Sequence, residues 1–265
     1  MEKILIGTSG YSYDDWVGPF YPCGTKQADF LEYYAREFPV TELNFTYYRM
    51  PDAYLTKRMA LLTPGNFLFS IKAHKTLTHE IRPEAFKAEA AAFVSGIEPI
   101  MDAGKLGAVL LQFPFGFHYT KENRRYLDSL CCTLHELPLA VEFRNSQWQR
   151  ESVSWGLKER GIALVNVDEP DLAGLLSAQD MVTSQIGYVR FHGRNCGNWW
   201  KGDNVTRYDY LYNDEELQQW VPRIMKMTEN AQVILIVFNN HSKGQAIQNA
   251  RRLKEMLGDR GEKNI

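Results

Sequence analysis

The stretch GYVRFHGRNCGNWW, residues 187–200, reads as the end of a β-strand running into a loop. Side chains alternate faces along a strand, so Val189 and Phe191 point one way while Tyr188, Arg190 and His192 point the other. On a strand with one wet face that pattern is ordinary. On a strand covered on both faces, a guanidinium and an imidazole must meet a partner or a ligand. The kind of strand therefore decides both the fold and the place to look for chemistry.

The rest of the chain answers the first question. Seven further runs have the same apolar or β-branched character: ILIG from Ile4, TELNF from Thr41, FLFSIKA from Phe67, GAVLLQF from Gly107, LAVEFR from Leu139, IALVNVD from Ile162 and QVILIVFNN from Gln232. Helical stripes separate them. Leu31, Tyr34, Ala35 and Phe38 share one face, and Phe86, Ala90, Phe93, Val94, Ile97 and Met101 form a longer one. Leu217, Trp220, Val221 and Ile224 repeat the spacing, with Pro222 expected to kink or interrupt that helix. Ala246, Ala250, Leu253 and Leu257 close the chain, and residues 171–185 carry the weakest helical pattern. Eight strands alternating with helices is the grammar of an α/β fold, a single (β/α)8 TIM barrel over residues 1–265. An open doubly wound sheet has the same alternation, but no G-x-G-x-x-G follows the first strand. The barrel is the expected fold.

Composition narrows the function classes. A net charge of −2 and a pI near 6.3 leave no broad basic face, so nucleic acid is not a favoured partner. The four cysteines, Cys23, Cys131, Cys132 and Cys196, form no C-x-x-C pair, which suits a reducing, cytoplasmic compartment. The longest strongly apolar run, VILIVF at 233–238, is far too short to span a membrane. Nothing in the chain speaks to its oligomeric state.

In a barrel both strand faces are covered, so Arg190 and His192 are expected to point inward near the carboxyl end of strand seven, where barrel enzymes keep their sites. Polar residues cluster at the same end of the other strands: Glu42 and Asn44, Ser70, Lys72 and His74, Gln112, Glu142 and Arg144, Asn166 and Asp168, and Asn239, Asn240 and His241. Each alone reads equally well as a satisfied structural group. Together they read as a pocket, because charges buried side by side must pair or bind something. Most loop aromatics (Tyr11, Tyr13, Trp16, Phe20, Tyr21, Tyr47, Tyr48, Trp148, Trp199 and Trp200) read as packing of the rim, with stacking on sugars or bases the alternative.

The ordered motifs GTSGYSYDDW with PFYP, ELNFTYYRMP, FSIKAHKTLTH, LLQFP, VEFRNSQW, YVRFHGR, YDYLY and FNNHSKGQA resemble the family called domain of unknown function number 72, the YecE-like proteins. The likeness runs from Gly7 to about Ala250. It implies a TIM barrel and supplies no reaction or site residues.

Among chemistries, an anion site ranks first. Lys72, Arg144, Arg190 and Arg194 bring positive charge against Glu42, Glu142 and Asp168. The loops after strands seven and eight, GRNCGNWWKGD and HSKGQ, resemble barrel phosphate loops, and SKGQA opens the last helix. The expected ligand is a small phosphorylated or carboxylated molecule, with no cofactor identified. Glu142 is the candidate general base, with Glu42 or His192 as partner acid. Lys72 and Arg190 would hold the anion, Gln112 and Asn239 would orient it, and Asn44, Arg144, Asp168 and Arg194 complete the binding set. Because cations outnumber carboxylates in this ring, Arg190 is expected to serve the ligand more than the fold. The main alternative is a metal-dependent hydrolase or isomerase acting on nucleic acid or sugar, using His74, His192, His241, Glu42, Glu142 and Asp168. Its weakness is the absence of metal-ligand spacing, with lysine and arginines in the same ring. A glycosidase built on Glu42 and Glu142 and an acyl transferase built on Ser9 are weaker still. A non-catalytic ligand-binding barrel is the rival from another class.

Overall fold

The computed structural model describes residues 3–261, so the first two and last four residues of the expected domain lie outside the described residues. Eight parallel strands close into a barrel in sequence order. They are β1 (Ile4–Ser9), β2 (Val40–Leu43), β3 (Leu68–Lys72), β4 (Leu106–Gln112), β5 (Leu139–Glu142), β6 (Ala163–Asp168), β7 (Ile186–Phe191) and β8 (Val233–Phe238). Each falls within or beside one of the eight runs read from the sequence.

Helices cover the outside. α1 (Phe30–Tyr34), α2 (Phe45–Tyr48) and α3 (Ala53–Leu61) come early, followed by α4 (Phe86–Asp102), α5 (Lys121–Thr133) and α6 (Glu151–Glu159). α7 (Asn204–Arg207), α8 (Asp214–Thr228) and α9 (Gln245–Gly261) complete the ring. α8 shows how the sequence builds one. Asn213 caps its first turn by accepting from the Glu216 amide while the Glu216 side chain returns to the Asn213 amide. Leu217, Trp220, Val221, Ile224 and Met227 then bury one face, each contributing about 1.5–3 kcal/mol of apolar burial. That burial outweighs the one hydrogen bond lost at Pro222, and the helix runs through the proline without interruption.

No helix joins β6 to β7, in keeping with the weak pattern at 171–185. The connection instead lies along β6, tied by side chains. Asn166 accepts from the Met181 amide and donates to its carbonyl, while Thr183 accepts from the Leu164 amide and donates to the Ile162 carbonyl.

The two joints of β1 are unequal. β1 pairs with β8 over five residues, from Ile4 opposite Ile234 to Thr8 opposite Phe238. It pairs with β2 only at Thr8–Thr41 and Ser9–Glu42. Below that point the Tyr34 hydroxyl bridges the two strands, accepting from the Thr8 amide and donating to the Val40 carbonyl. Gly7 makes room for it, because a Cβ there would lie 1.9 Å from the Val40 oxygen.

All four cysteines are free, with Cys131 and Cys132 both on α5. Cys131 is buried and its thiol is pushed up to about 12 by that burial. Thiol titration of unreduced protein should count three reactive groups in the native state and four after denaturation. Only two after denaturation would show a disulfide and contradict this arrangement. No helix among the described residues is long and apolar enough to cross a membrane.

Candidate functional site at the carboxyl end of the barrel

Tyr188 and Arg190 do point into the barrel, and what they meet is protein. Arg190 is 2% exposed and spans two carboxylates, donating through Nη1 to Glu142 at 2.5 Å and through Nη2 to Glu42 at 2.6 Å. The other oxygen of Glu42 accepts from the Tyr188 hydroxyl at 2.7 Å, which also lies 2.7 Å from the Ser70 hydroxyl. Ser9 donates to Glu42 at 2.5 Å and accepts from the Asn44 amide at 2.6 Å. Strand register explains the convergence, since Ser9 lies opposite Glu42 and Glu42 opposite Ser70. Glu42 and Glu142 are fully buried.

Arg144 continues the chain of charges. Its Nε sits 2.5 Å from the second Glu142 oxygen, and its Nη1 lies 3.3 Å from Glu169. Burial alone would raise the Glu142 carboxyl, but the Arg144 and Arg190 guanidiniums outweigh it and hold it well below the ordinary carboxylate range. Glu169 goes the other way. Burial lifts it to about 7 despite Arg144.

His192 can be assigned a tautomer. Its Nδ1 lies 3.3 Å from the Arg144 guanidinium and 3.2 Å from the Asn239 amide nitrogen, both of which are donors. Nδ1 must therefore accept, which leaves the proton on Nε2, 3.3 Å from Glu142. Burial, reinforced by Arg144, holds its pKa well below the usual value, so the ring is neutral.

Above this layer opens a cavity of about 630 Å³. Lys72, Arg144, Arg190 and Arg207 reach its wall with the amides of Asn44, Gln112 and Asn239. No aspartate or glutamate lines it among the described residues. Tyr13, Tyr47, Trp199, Trp200 and Tyr208 supply aromatic surface. The sequence reading thus finds Lys72, Arg144, Arg190, Gln112, Asn44 and Asn239 where it expects them. It misses Arg207 at the end of α7, Tyr208 just after it and His79 in the loop after β3, none of which carries a strand-end signal.

Four expectations are corrected. Asp168 faces outward from β6, where it is gripped by Arg194 through two bonds of 2.9 and 2.6 Å, by the Tyr212 hydroxyl at 2.7 Å and by Trp220 Nε1 at 2.6 Å. Asp168 and Arg194 are therefore absent from the cavity wall; they pin the β7–α8 loop to the barrel. Second, Glu42, Glu142 and His192, expected as the acid–base set, lie beneath the cavity rather than on its wall. Third, the start of α9 is already supplied with carboxylates. The Lys243 amide donates to Asp15 at 2.7 Å, and Lys243 Nζ lies 3.4 Å from Asp209. Fourth, Lys72 is not a permanent cation. Burial, reinforced by Arg190 and only partly offset by Glu42 and Glu142, brings its pKa down to about 7.

The residues of the metal alternative do not converge. His74 bonds Thr76, His241 stacks on Tyr13 at 4.6 Å, and no three of His, Cys, Asp and Glu are placed to hold an ion among the described residues. The rim aromatics divide: Trp16, Phe20, Tyr21 and Trp148 are buried, with Trp16 Nε1 donating to the His241 carbonyl, whereas Tyr13, Tyr47, Tyr48, Trp199 and Trp200 line the cavity.

Comparison with known proteins agrees with this architecture. Residues 5–264 match the model of the family described as protein of unknown function DUF72. The chain is 31% identical to the UPF0759 protein YunF of Bacillus subtilis, over 96% of this chain and 94% of that one. It is 38% identical to the crystal structure of a DUF72 family protein from Thermotoga maritima, with a TM-score of 0.88, covering 97% of this chain and all of that one. A DUF72 family protein from Enterococcus faecalis superposes with a TM-score of 0.87 at 28% identity, over 96% and 95% of the two chains. With the closed eight-stranded barrel already built from its own residues, the chain belongs to the DUF72 family.

Proposed function

We propose that the cavity at the carboxyl end of the barrel binds a small anionic ligand, phosphorylated or carboxylated, and that the protein acts on it as an enzyme. One observation carries this reading. Among the described residues the wall presents three arginines and a lysine and no carboxylate, while the balancing Glu42 and Glu142 lie behind it. Such a layer turns its positive side to the cavity, where the dielectric is low and a fixed field is strongest. Arg207 adds a guanidinium whose Nε has no partner among the described residues. The aromatic surface suits a ligand whose anionic group is carried on a ring, and the volume is that of an ordinary small-molecule site. A cytoplasmic location is supported by the four free cysteines.

Arg207 is the position for the test, since Arg190 and Arg144 also hold buried carboxylates. Inorganic phosphate, or a sugar phosphate, should raise the melting temperature of the natural protein. At a hundredfold excess over its dissociation constant, the stabilisation should be about 2.7 kcal/mol. Arg207→Ala should lose most of that response with little change in its own stability. Equal stabilisation of the two proteins would remove the anion reading. Turnover in a panel of phosphorylated and carboxylated compounds separates an enzyme from a barrel that only binds.

A further inference from the structure

On the wall of this cavity one group stands apart from the network. Lys72 ends β3, its backbone fixed by a 2.6 Å bond from Thr46 Oγ1 to the Lys72 carbonyl. Its Nζ makes no ion pair or hydrogen bond among the described residues. Its contact is with the face of the Tyr47 ring, 4.4 Å from the centroid. The carboxylates that could have claimed it, Glu42 and Glu142, are taken by Arg190 and Arg144. Glu42 from β2, Glu142 from β5, Arg144 just past β5 and Arg190 from β7, with Tyr47 from α2 and His79 from the loop after β3, make up its surroundings. The desolvation of this partly buried side chain, with Arg190 beside it, favours the uncharged amine and brings its pKa down to about 7, which suits a nucleophile near neutral pH.

Resting on the anion reading above, we infer that Lys72 is the reacting group of the site and takes the carbonyl of a small anionic aldehyde or ketone as a Schiff base. Nζ adds to the carbonyl carbon, and a C=N bond replaces C=O. The oxygen leaves as water, carrying both amine hydrogens. No oxidant or reductant takes part. Arg144 and Arg207 would hold the anionic group, and Asn44, Gln112 and Asn239 lie where hydrogen bonds to the substrate's hydroxyls are wanted.

Pyridoxal 5′-phosphate is a suitable probe, since it joins an aldehyde, an aromatic ring and a phosphate. The natural protein should be treated with it at pH 7.5, reduced with borohydride and mapped by peptide mass spectrometry. Lys72 should be modified roughly tenfold or more faster than the exposed Lys87 and Lys158, because a lysine of ordinary pKa, about 10.4, is almost wholly protonated there. Its rate should rise through a midpoint near 7 and fall when inorganic phosphate is added. Lys72→Arg, which keeps a cation but lacks a primary amine, should fold with a similar melting temperature and lose that adduct alone. Labelling no faster than at Lys87, or a midpoint above about 9, overturns the inference. If phosphate still stabilises the protein in that case, the anion reading survives it. Equal reaction with uncharged propanal, indifferent to phosphate, overturns the ligand class and the anion reading together.

Discussion

Arg190→Ala should cost about 3–5 kcal/mol of stability, read as a fall in the urea midpoint at unchanged slope. Removing the guanidinium leaves Glu42 fully buried without its ion-pair partner, and leaves the buried Glu142 to Arg144 alone among the arginines. The Tyr188 and Ser9 bonds to Glu42 remain and cannot supply the missing charge. Adding Glu42→Gln should recover part of the loss, because it removes the carboxylate left without an ion-pair partner, whereas Glu142 still has Arg144. This outcome is opposite to the one expected from counting charges along the sequence, where Arg190 belongs to the ligand. A loss below about 1 kcal/mol would mean that the pair is already hydrated and that the buried network does not hold the barrel.

Asp168→Ala should be nearly as damaging, also about 3–5 kcal/mol, and for a different reason. The carboxylate receives four hydrogen bonds on the outer face of β6, two from Arg194 and one each from Tyr212 and Trp220. Without it, the Trp220 and Tyr212 donors are buried and unmade, at about 1–3 kcal/mol each, and the β7–α8 loop loses its anchor. Phosphate should still stabilise this variant in proportion, since Asp168 lines no part of the cavity. A variant of wild-type stability that no longer responds to phosphate would restore Asp168 to the ligand site.

These two residues mark where a sequence can and cannot be read. All eight strands are legible because buried parallel strands leave continuous apolar runs. The inward set on β7 is legible because Tyr188, Arg190 and His192 share a parity that only the interior could satisfy. The same parity rule fails on β6. There Leu164, Asn166 and Asp168 share one face and Ala163, Val165 and Val167 the other, and both faces are covered. Polarity then suggests the interior, whereas Trp220, Tyr212 and Met181 had placed polar partners outside. Charge pairing is illegible for a related reason. Arg190 lies 148 residues from Glu42 in sequence and 48 from Glu142, and only closure of the barrel sets those distances to a hydrogen bond. The unpaired state of Lys72 follows from those pairings and is hidden with them.

The unequal joints of β1 carry a consequence for how the molecule comes into being. Its first strand is fixed to its last by five residue pairs and to its nearest successor by two, with the Tyr34 hydroxyl filling in. A chain emerging from the ribosome must therefore carry one side of β1 as an open template until residues 233–238 arrive. Such an edge invites the strands of other molecules. Joining ends that far apart adds only logarithmically to the entropic cost of closure, so the delay threatens aggregation far more than final stability. The strand made first is the last to be secured.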